Sequence, residues 1–339
     1  MTANVETMFY HAEVPWHGLG TKLDDVATAE EAITAAQLDW EVKSMPLYVH
    51  NAKGRMHQVE GLRAIQRRTD GKVLSVLGED YIPVQNSDAF TFFDAVVGNH
   101  EAHYETAGSL NGGKRIWILA KVDGSISVRG DEIHKYLLLC NGHDGQMAVK
   151  MFFTPIRVVC QNTLEAAGAT RFNPDNKANM FYSRHTGGMM GRMDEAREVL
   201  GFSTDYFDQF SAMSNHLAEQ PFLTADMPKL LTAAFQPAKQ LPTDSASGPI
   251  EIGKLTDAGI GSRVANDMAT VARLFETGKG LQEASIRHTK YAAYNAVVEY
   301  VDYGRKYGGA DPANLRLNNV WFGRGARMKQ RALAHLLKN

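Results

Sequence analysis

Along the first half of the chain hydrophobic and polar positions alternate, and along the second the hydrophobic ones recur every three to four residues. Strand side chains alternate between faces while helical ones return about every 3.6 residues, so the change of period predicts a sheet followed by helices. Thr28-x-x-Glu31 has the form of a capping box and opens a short helix through Ile33 to Leu38. From Trp40 the period is two, through Val42, Leu47 and Val49, interrupted at Pro46 as in an edge or bulged strand. Leu62 to Thr69 and Lys72 to Leu77 flank Asp70-Gly71, which predicts a hairpin whose two turn residues both take positive φ. Asn86 or Ser87 is placed to cap a helix with Phe90, Phe93, Val96 and Val97 on its apolar face.

A second sheet segment follows. Tyr104 to Leu110 turns at Asn111-Gly112-Gly113 into Lys114 to Val122, where Ile116, Ile118, Ala120 and Val122 share one face and Arg115, Trp117, Leu119 and Lys121 the other. Lys135 to Cys140 and Gln146 to Phe153 flank Asn141-Gly142-His143-Asp144-Gly145, another hairpin. Thr154-Pro155 then reads as N-cap and first residue of a helix, with Ile156, Val159, Cys160 and Leu164 inward and Arg157, Gln161 and Glu165 outward. Residues 168–183 are polar and read as a linker. Helical periods follow at about 188–200, 204–219, 225–235, 257–277, 286–307 and 324–338, with a Pro/Ser/Thr-rich loop at 236–250. The expectation is an α+β protein. An N-terminal antiparallel, hairpin-rich sheet with packed helices occupies 1–170, and a mainly helical domain with a basic C-terminal end occupies 171–339.

The 339 residues are 44% hydrophobic and 22% charged, enough apolar material for a core. No apolar run approaches the roughly 20 residues of a membrane span, and the first ten residues have no secretory pattern, so a cytoplasmic protein is expected. Cys140 and Cys160 are too few and too isolated for a disulfide framework and read as reduced core thiols. The net charge of −2 hides an asymmetry: residues 1–42 carry eight acids against Lys22, whereas residues 301–339 carry eight bases against Asp302 and Asp311. Opposite ends of that kind can pair within a chain or between neighbours, or mark a basic nucleic-acid surface.

Motifs for most chemistry are missing. His100-x-x-His103 and His11 with His17 have no accompanying zinc-ligand set, so no metal is expected. There is no GxxxxGK[ST] and no dinucleotide fingerprint, hence no nucleotide cofactor. Cys160 with His143 could be drawn as nucleophile and base, and His143-Asp144 as an acid–base pair, but an inward thiol and an Asx-type turn explain the same residues. What remains is a scatter of cations, amides and an aromatic. Arg63 and Arg67 share a strand face, Lys114 and Arg115 follow a turn with Trp117 on the face of Arg115, and Lys150 precedes Thr154-Pro155. Arg157, Gln161 and Asn162 lie on the helix expected next, and Arg184 and His185 beyond the linker. Spaced cations, amides and an aromatic face suit a phosphate backbone and stacked bases.

Several segments carry a family likeness: Pro15-Trp16-His17-Gly18-Leu19-Gly20, Tyr81-Ile82-Pro83-Val84-Gln85-Asn86, Asn141-Gly142-His143-Asp144-Gly145, Thr154-Pro155-Ile156-Arg157-Val158-Val159-Cys160-Gln161-Asn162-Thr163-Leu164, Arg184-His185-Thr186, Asn295-Ala296-Val297 and Phe322-Gly323-Arg324-Gly325. Through them the chain resembles a large family of phage- and plasmid-like proteins long catalogued as a domain of unknown function. The resemblance implies a mobile genetic element. The order of hairpins and a helix is in turn similar to the core of single-strand annealing recombinases of the Rad-fifty-two and Red-beta type, which implies ATP-independent binding and annealing of single-stranded DNA, with self-association into rings or filaments. Two other expectations stand beside it: a nucleic-acid-processing enzyme using His143, Asp144 and His185, and a protein-interaction factor, structural or counter-defence.

Overall fold

A computed structural model describes residues 5–11, 20–97, 102–157, 180–186, 188, 190–192, 194–196, 203–235, 252–305, 319–320 and 323–338. The chain begins with β1 (Val5–His11), β2 (Thr21–Leu23) and α1 (Ala29–Ala35). The expected capping box opens α1: Thr28 Oγ1 accepts from Glu31 N, and the Glu31 carboxylate accepts from Thr28 N. Next come β3 (Val42–His50), β4 (Met56–Arg67), β5 (Val73–Gly78) and α2 (Asn86–Val97). A meander follows: β6 (Ala102–Leu110), β7 (Arg115–Val128), β8 (Asp131–Gly142), β9 (Val149–Arg157) and β10 (Met180–Ser183). The second half holds α3 (Ser203–Glu219), α4 (Met227–Phe235), α5 (Ile252–Asp257), α6 (Ser262–Thr277), α7 (Lys290–Glu299) and α8 (Arg324–Lys338).

The large sheet runs β10-β9-β8-β7-β6-β1-β2, antiparallel except for the β1–β2 pair, and β3-β4-β5 form a separate small sheet. The α+β class is as the period change predicted. Ile116, Ile118 and Ala120 of β7 face one way, with Leu137, Leu139, Met151, Phe153 and Phe181 beside them. Phe92 and Phe93 of α2 and Tyr206, Phe207 and Phe210 of α3 close over that face. Each fully buried ring of this kind contributes about 1.5–3 kcal/mol. Trp117, Leu119, Leu138, Cys140 and Phe152 form a second, smaller cluster on the opposite face. The main cluster continues without a break into α4, α6, α7 and α8, from Phe9 to Leu336.

Several expectations need correction. Thr154 and Pro155 start no helix: they lie in β9, opposite Tyr136 and Lys135. Pro155 lies beyond Phe152, the last β9 residue that pairs with β10 among the described residues, and a proline that lacks an N–H is tolerated at such a position. The expected 168–183 linker ends in a strand, Met180–Ser183. Asp70 does not take positive φ; only Gly71 does, and Asp70 accepts instead from Lys72 N and from Arg67. The helix expected at 257–277 begins at Ser262 as α6, and a separate short helix, α5, precedes it. The helix expected at 286–307 starts at Lys290 and passes into a π-helical turn, Tyr300–Gly304. A hairpin turn that the alternation did not reveal joins β7 to β8 at Arg129-Gly130, both at positive φ. The strand at Pro46 is an edge strand with a register shift, as expected. Cys160 and the 236–250 loop lie outside the described residues.

Candidate functional site at one end of the large sheet

The turns β4–β5, β6–β7 and β8–β9 and the end of β10 meet at one end of the large sheet. His143 N donates to Lys114 O at 2.7 Å, and Ser75 Oγ donates to His143 O at 2.6 Å. Gly145, at φ +70°, sits so close to Leu77 of β5 that a Cβ there would lie 2.6 Å from Leu77 Cδ2. Beneath these turns lies a buried polar joint. Asn86 opens α2, but its side chain does not cap the helix: Nδ2 donates to Leu38 O at 2.9 Å and reaches Trp40 O at 3.4 Å. That fixes its amide orientation, so Oδ1 is the acceptor and His143 Nε2, 3.0 Å away, carries the proton. Asn141 repeats the device: Nδ2 donates to Val84 O, and Oδ1 accepts from His185 Nε2 at 2.7 Å. Tyr81 stacks on His185 with ring centroids 4.9 Å apart and donates its hydroxyl to Gly142 O. Gln85 clamps both backbone groups of Val42.

Burial decides the protonation of both imidazoles. It pushes His143 down to about 3, with His185 adding to the shift. It pushes His185 down to about 4 against a smaller opposing influence of Asp144. Each ring is therefore neutral at ordinary pH, protonated on Nε2, with a bare Nδ1. That of His143 is buried and meets no hydrogen-bond donor. His143 and Asp144 do not pair: Asp144 accepts from Arg115 Nε at 3.0 Å and from Gln146 N, forming the Asx turn anticipated. Among the described residues no three His, Cys, Asp or Glu side chains converge as metal ligands would.

The expected nucleic-acid residues divide into two groups. Arg67 is buried, donating twice to Glu6 at 2.9 Å and twice to Asp70, with its guanidinium 5.3 Å from the Trp40 ring centroid. Arg115 is held by Asp144 and Gln146. Trp117 packs in the second cluster, with its ring over Gly108, where a Cβ would collide with it. His185 belongs to the joint. Lys150 is half-buried opposite Cys140, and burial lowers its amine below the usual lysine range. Lys114 and Arg184 do face solvent, wholly or in part, at the end of the sheet. Arg63 is half-buried on the face of β4 that it shares with Leu77. Arg157 closes β9, and its side chain, with Gln161 and Asn162, lies outside the described residues. One cation was missed by the sequence reading. Lys72, exposed in the β4–β5 turn, reaches so far toward the β6–β7 turn that a Cβ at Gly112 would collide with its Nζ. Its signal was the hairpin turn itself, which places flanking residues at a tip. Part of the basic C-terminal end is used internally: Lys329 is buried against Asp302, and Arg331 donates twice to Ala234 O.

The fold and the joint define an α+β protein whose family-like segments, Tyr81–Asn86, Asn141–Gly145 and Arg184–Thr186, come together at one place. A family model described as a domain of unknown function, DUF932, matches residues 73–336, and the chain belongs to that family. No curated protein and no solved structure matches the chain significantly. Among the described residues no helix is long and apolar enough to cross a membrane.

Proposed function

We propose that the chain binds single-stranded DNA at the end of the large sheet and promotes annealing without ATP, as a phage- or plasmid-type protein would. The observation that carries the reading is the charge balance there. Glu6, Asp70 and Asp144 at this end are consumed by the buried Arg67 and Arg115, and Glu41 pairs with Arg68 beside the β4–β5 turn. Lys72, Lys114 and Arg184, from three separate segments, make no ion pair among the described residues, and Arg63 flanks them. Unmatched cations spaced along a rim suit a phosphate backbone, and the neutral joint beneath keeps them in place. Trp117, Arg67 and Arg115 support the site from inside rather than touching the strand.

Each phosphate contact on a single strand contributes about 0.7 to the slope of log K against log salt. Anisotropy titrations with a labelled oligonucleotide should therefore show the slope falling by about two in Lys72→Ala/Lys114→Ala/Arg184→Ala. The same variant should lose the nucleotide-independent annealing of complementary oligonucleotides. Wild-type protein with no affinity at low salt, or a triple variant that binds as tightly as wild type, would refute the reading.

A further inference from the structure

We infer that the small sheet and the ribbon projecting from it are a self-association surface that receives the acidic segment around α1 of a second copy of this chain. An antiparallel sheet with one face in water ordinarily alternates apolar inside with polar outside. The small sheet does not. Val42 and Ile65 point inward, yet the outer face is also apolar, with Met45, Leu62, Val73 and Val76 exposed around Ala64. Seven of the thirteen exposed large hydrophobic side chains among the described residues belong to β3, β4 and β5. A concentration of that kind on one face marks an interaction surface.

The ribbon strengthens the case. Between Pro46↔Arg63 and Tyr48↔Gln58 the register shifts by several residues, and Gly61 takes φ +72°. Beyond that bulge every residue from Tyr48 to Gln58 is exposed, including Val49 at 51% and Met56 at 61%. The tip is nevertheless built: Asn51 Oδ1 accepts from Lys53 N and Arg55 N, and Asn51 N donates to Arg55 O. An isolated two-stranded hairpin is marginal in water, so an organised one that is exposed along its whole length among the described residues is shaped for a partner.

Charge selects the partner. The surface is fringed by Lys43, Lys53 and Arg55, none of them ion-paired among the described residues, but its centre is aliphatic, which suits protein better than stacked bases. The same chain exposes the complement: Asp25, Glu30 and Asp39 beside Val26, which is 57% exposed. Two different complementary surfaces on one chain make a head-to-tail contact, and such contacts propagate into rings or open filaments.

Mass measurement by light scattering over a wide concentration range tests this independently of nucleic acid. Wild type should exceed the monomer mass of 37.4 kDa. Met45→Asp/Val76→Asp should fall to it with an unchanged circular dichroism spectrum. Lys53→Glu/Arg55→Glu and Asp25→Lys/Glu30→Lys should each be monomeric alone and reassociate when mixed. Lys72→Ala/Lys114→Ala/Arg184→Ala should keep the wild-type mass, which separates failure here from failure of the DNA reading. A monomeric wild type, charge variants that do not reassociate on mixing, or a mass that rises only when an oligonucleotide is added would each overturn the inference, the last by making nucleic acid the occupant.

Discussion

His143 and His185 are each bonded through Nε2 to an asparagine oxygen, and both are held neutral by burial. In the unfolded chain each takes a proton near the ordinary histidine value of about 6.5. In the native state they resist protonation until about 4 and about 3. Over that window the unfolded state binds more protons, so stability rises with pH. The contribution is complete above about pH 6.5 and is lost as pH falls toward 4, each ring adding a slope of about 1.4 kcal/mol per pH unit. Glutamine keeps an amide donor but does not titrate. His143→Gln/His185→Gln should therefore start less stable at neutral pH and show a flatter dependence of denaturation midpoint between pH 6 and 4; a double variant with the wild-type dependence would mean that the rings are not sealed as described. None of these partnerships was legible in the sequence, because Asn86 and His143 lie 57 residues apart and Asn141 and His185 lie 44 apart. The pairing of Arg67 is hidden in part for the same reason: of its two carboxylate partners Asp70 is three residues away in sequence, but Glu6 is 61 away.

At the scale of the elements, legibility followed how local the determinant was. The capping box at Thr28, the β6–β7 turn and α8 are set by residues within a few positions of one another, and the structure has them as the spacing predicts. Thr154-Pro155 shows the opposite case. Threonine then proline is as compatible with an edge strand as with a helix start, and the pairing of β9 with β8, a non-local fact, decides for the strand. Arg129-Gly130 escaped notice because arginine is an unusual occupant of positive φ. Two glycines separate the cost of backbone conformation from that of packing. Gly130, at φ +92°, has nothing within 4 Å of a Cβ, whereas Gly145, at φ +70°, has Leu77 within 2.6 Å. Gly130→Ala should cost about 1 kcal/mol, from the left-handed conformation alone. Gly145→Ala should cost at least about 1 kcal/mol more, because Leu77 must shift, and Leu77→Ala should recover part of that excess. Denaturation midpoints of Gly130→Ala, Gly145→Ala, Leu77→Ala and the double variant Gly145→Ala/Leu77→Ala decide it; equal costs at the two glycines would mean that Leu77 does not hold the β8–β9 turn against the small sheet.

For the molecule as a whole, the question is whether sheet and helices behave as one unit. The buried cluster runs from Phe9 through the sheet to Leu336 in α8. Polar contacts cross beside it, among them these: Tyr291 of α7 donates to Asp131 of β8 at 2.6 Å, Asn215 of α3 reaches Ser127 O, and Arg129 reaches Ser285 O. The first is the strongest, because Tyr291 and Asp131 are both buried and the acceptor is a carboxylate. β10, from the second half of the chain, also completes the sheet beside β9. A core shared to this extent gives neither half a complete apolar interior alone, so local opening of one exposes the other. Tyr291→Phe deletes one hydroxyl and leaves a buried carboxylate short of a donor, a loss of about 1–3 kcal/mol. If the halves unfold together, native-state hydrogen exchange should show the slowest amides of β8 and of α7 falling by the same free energy in that variant. Protection that falls in α7 while β8 keeps its wild-type value would instead assign the two halves separate stabilities and make the shared core an interface between domains.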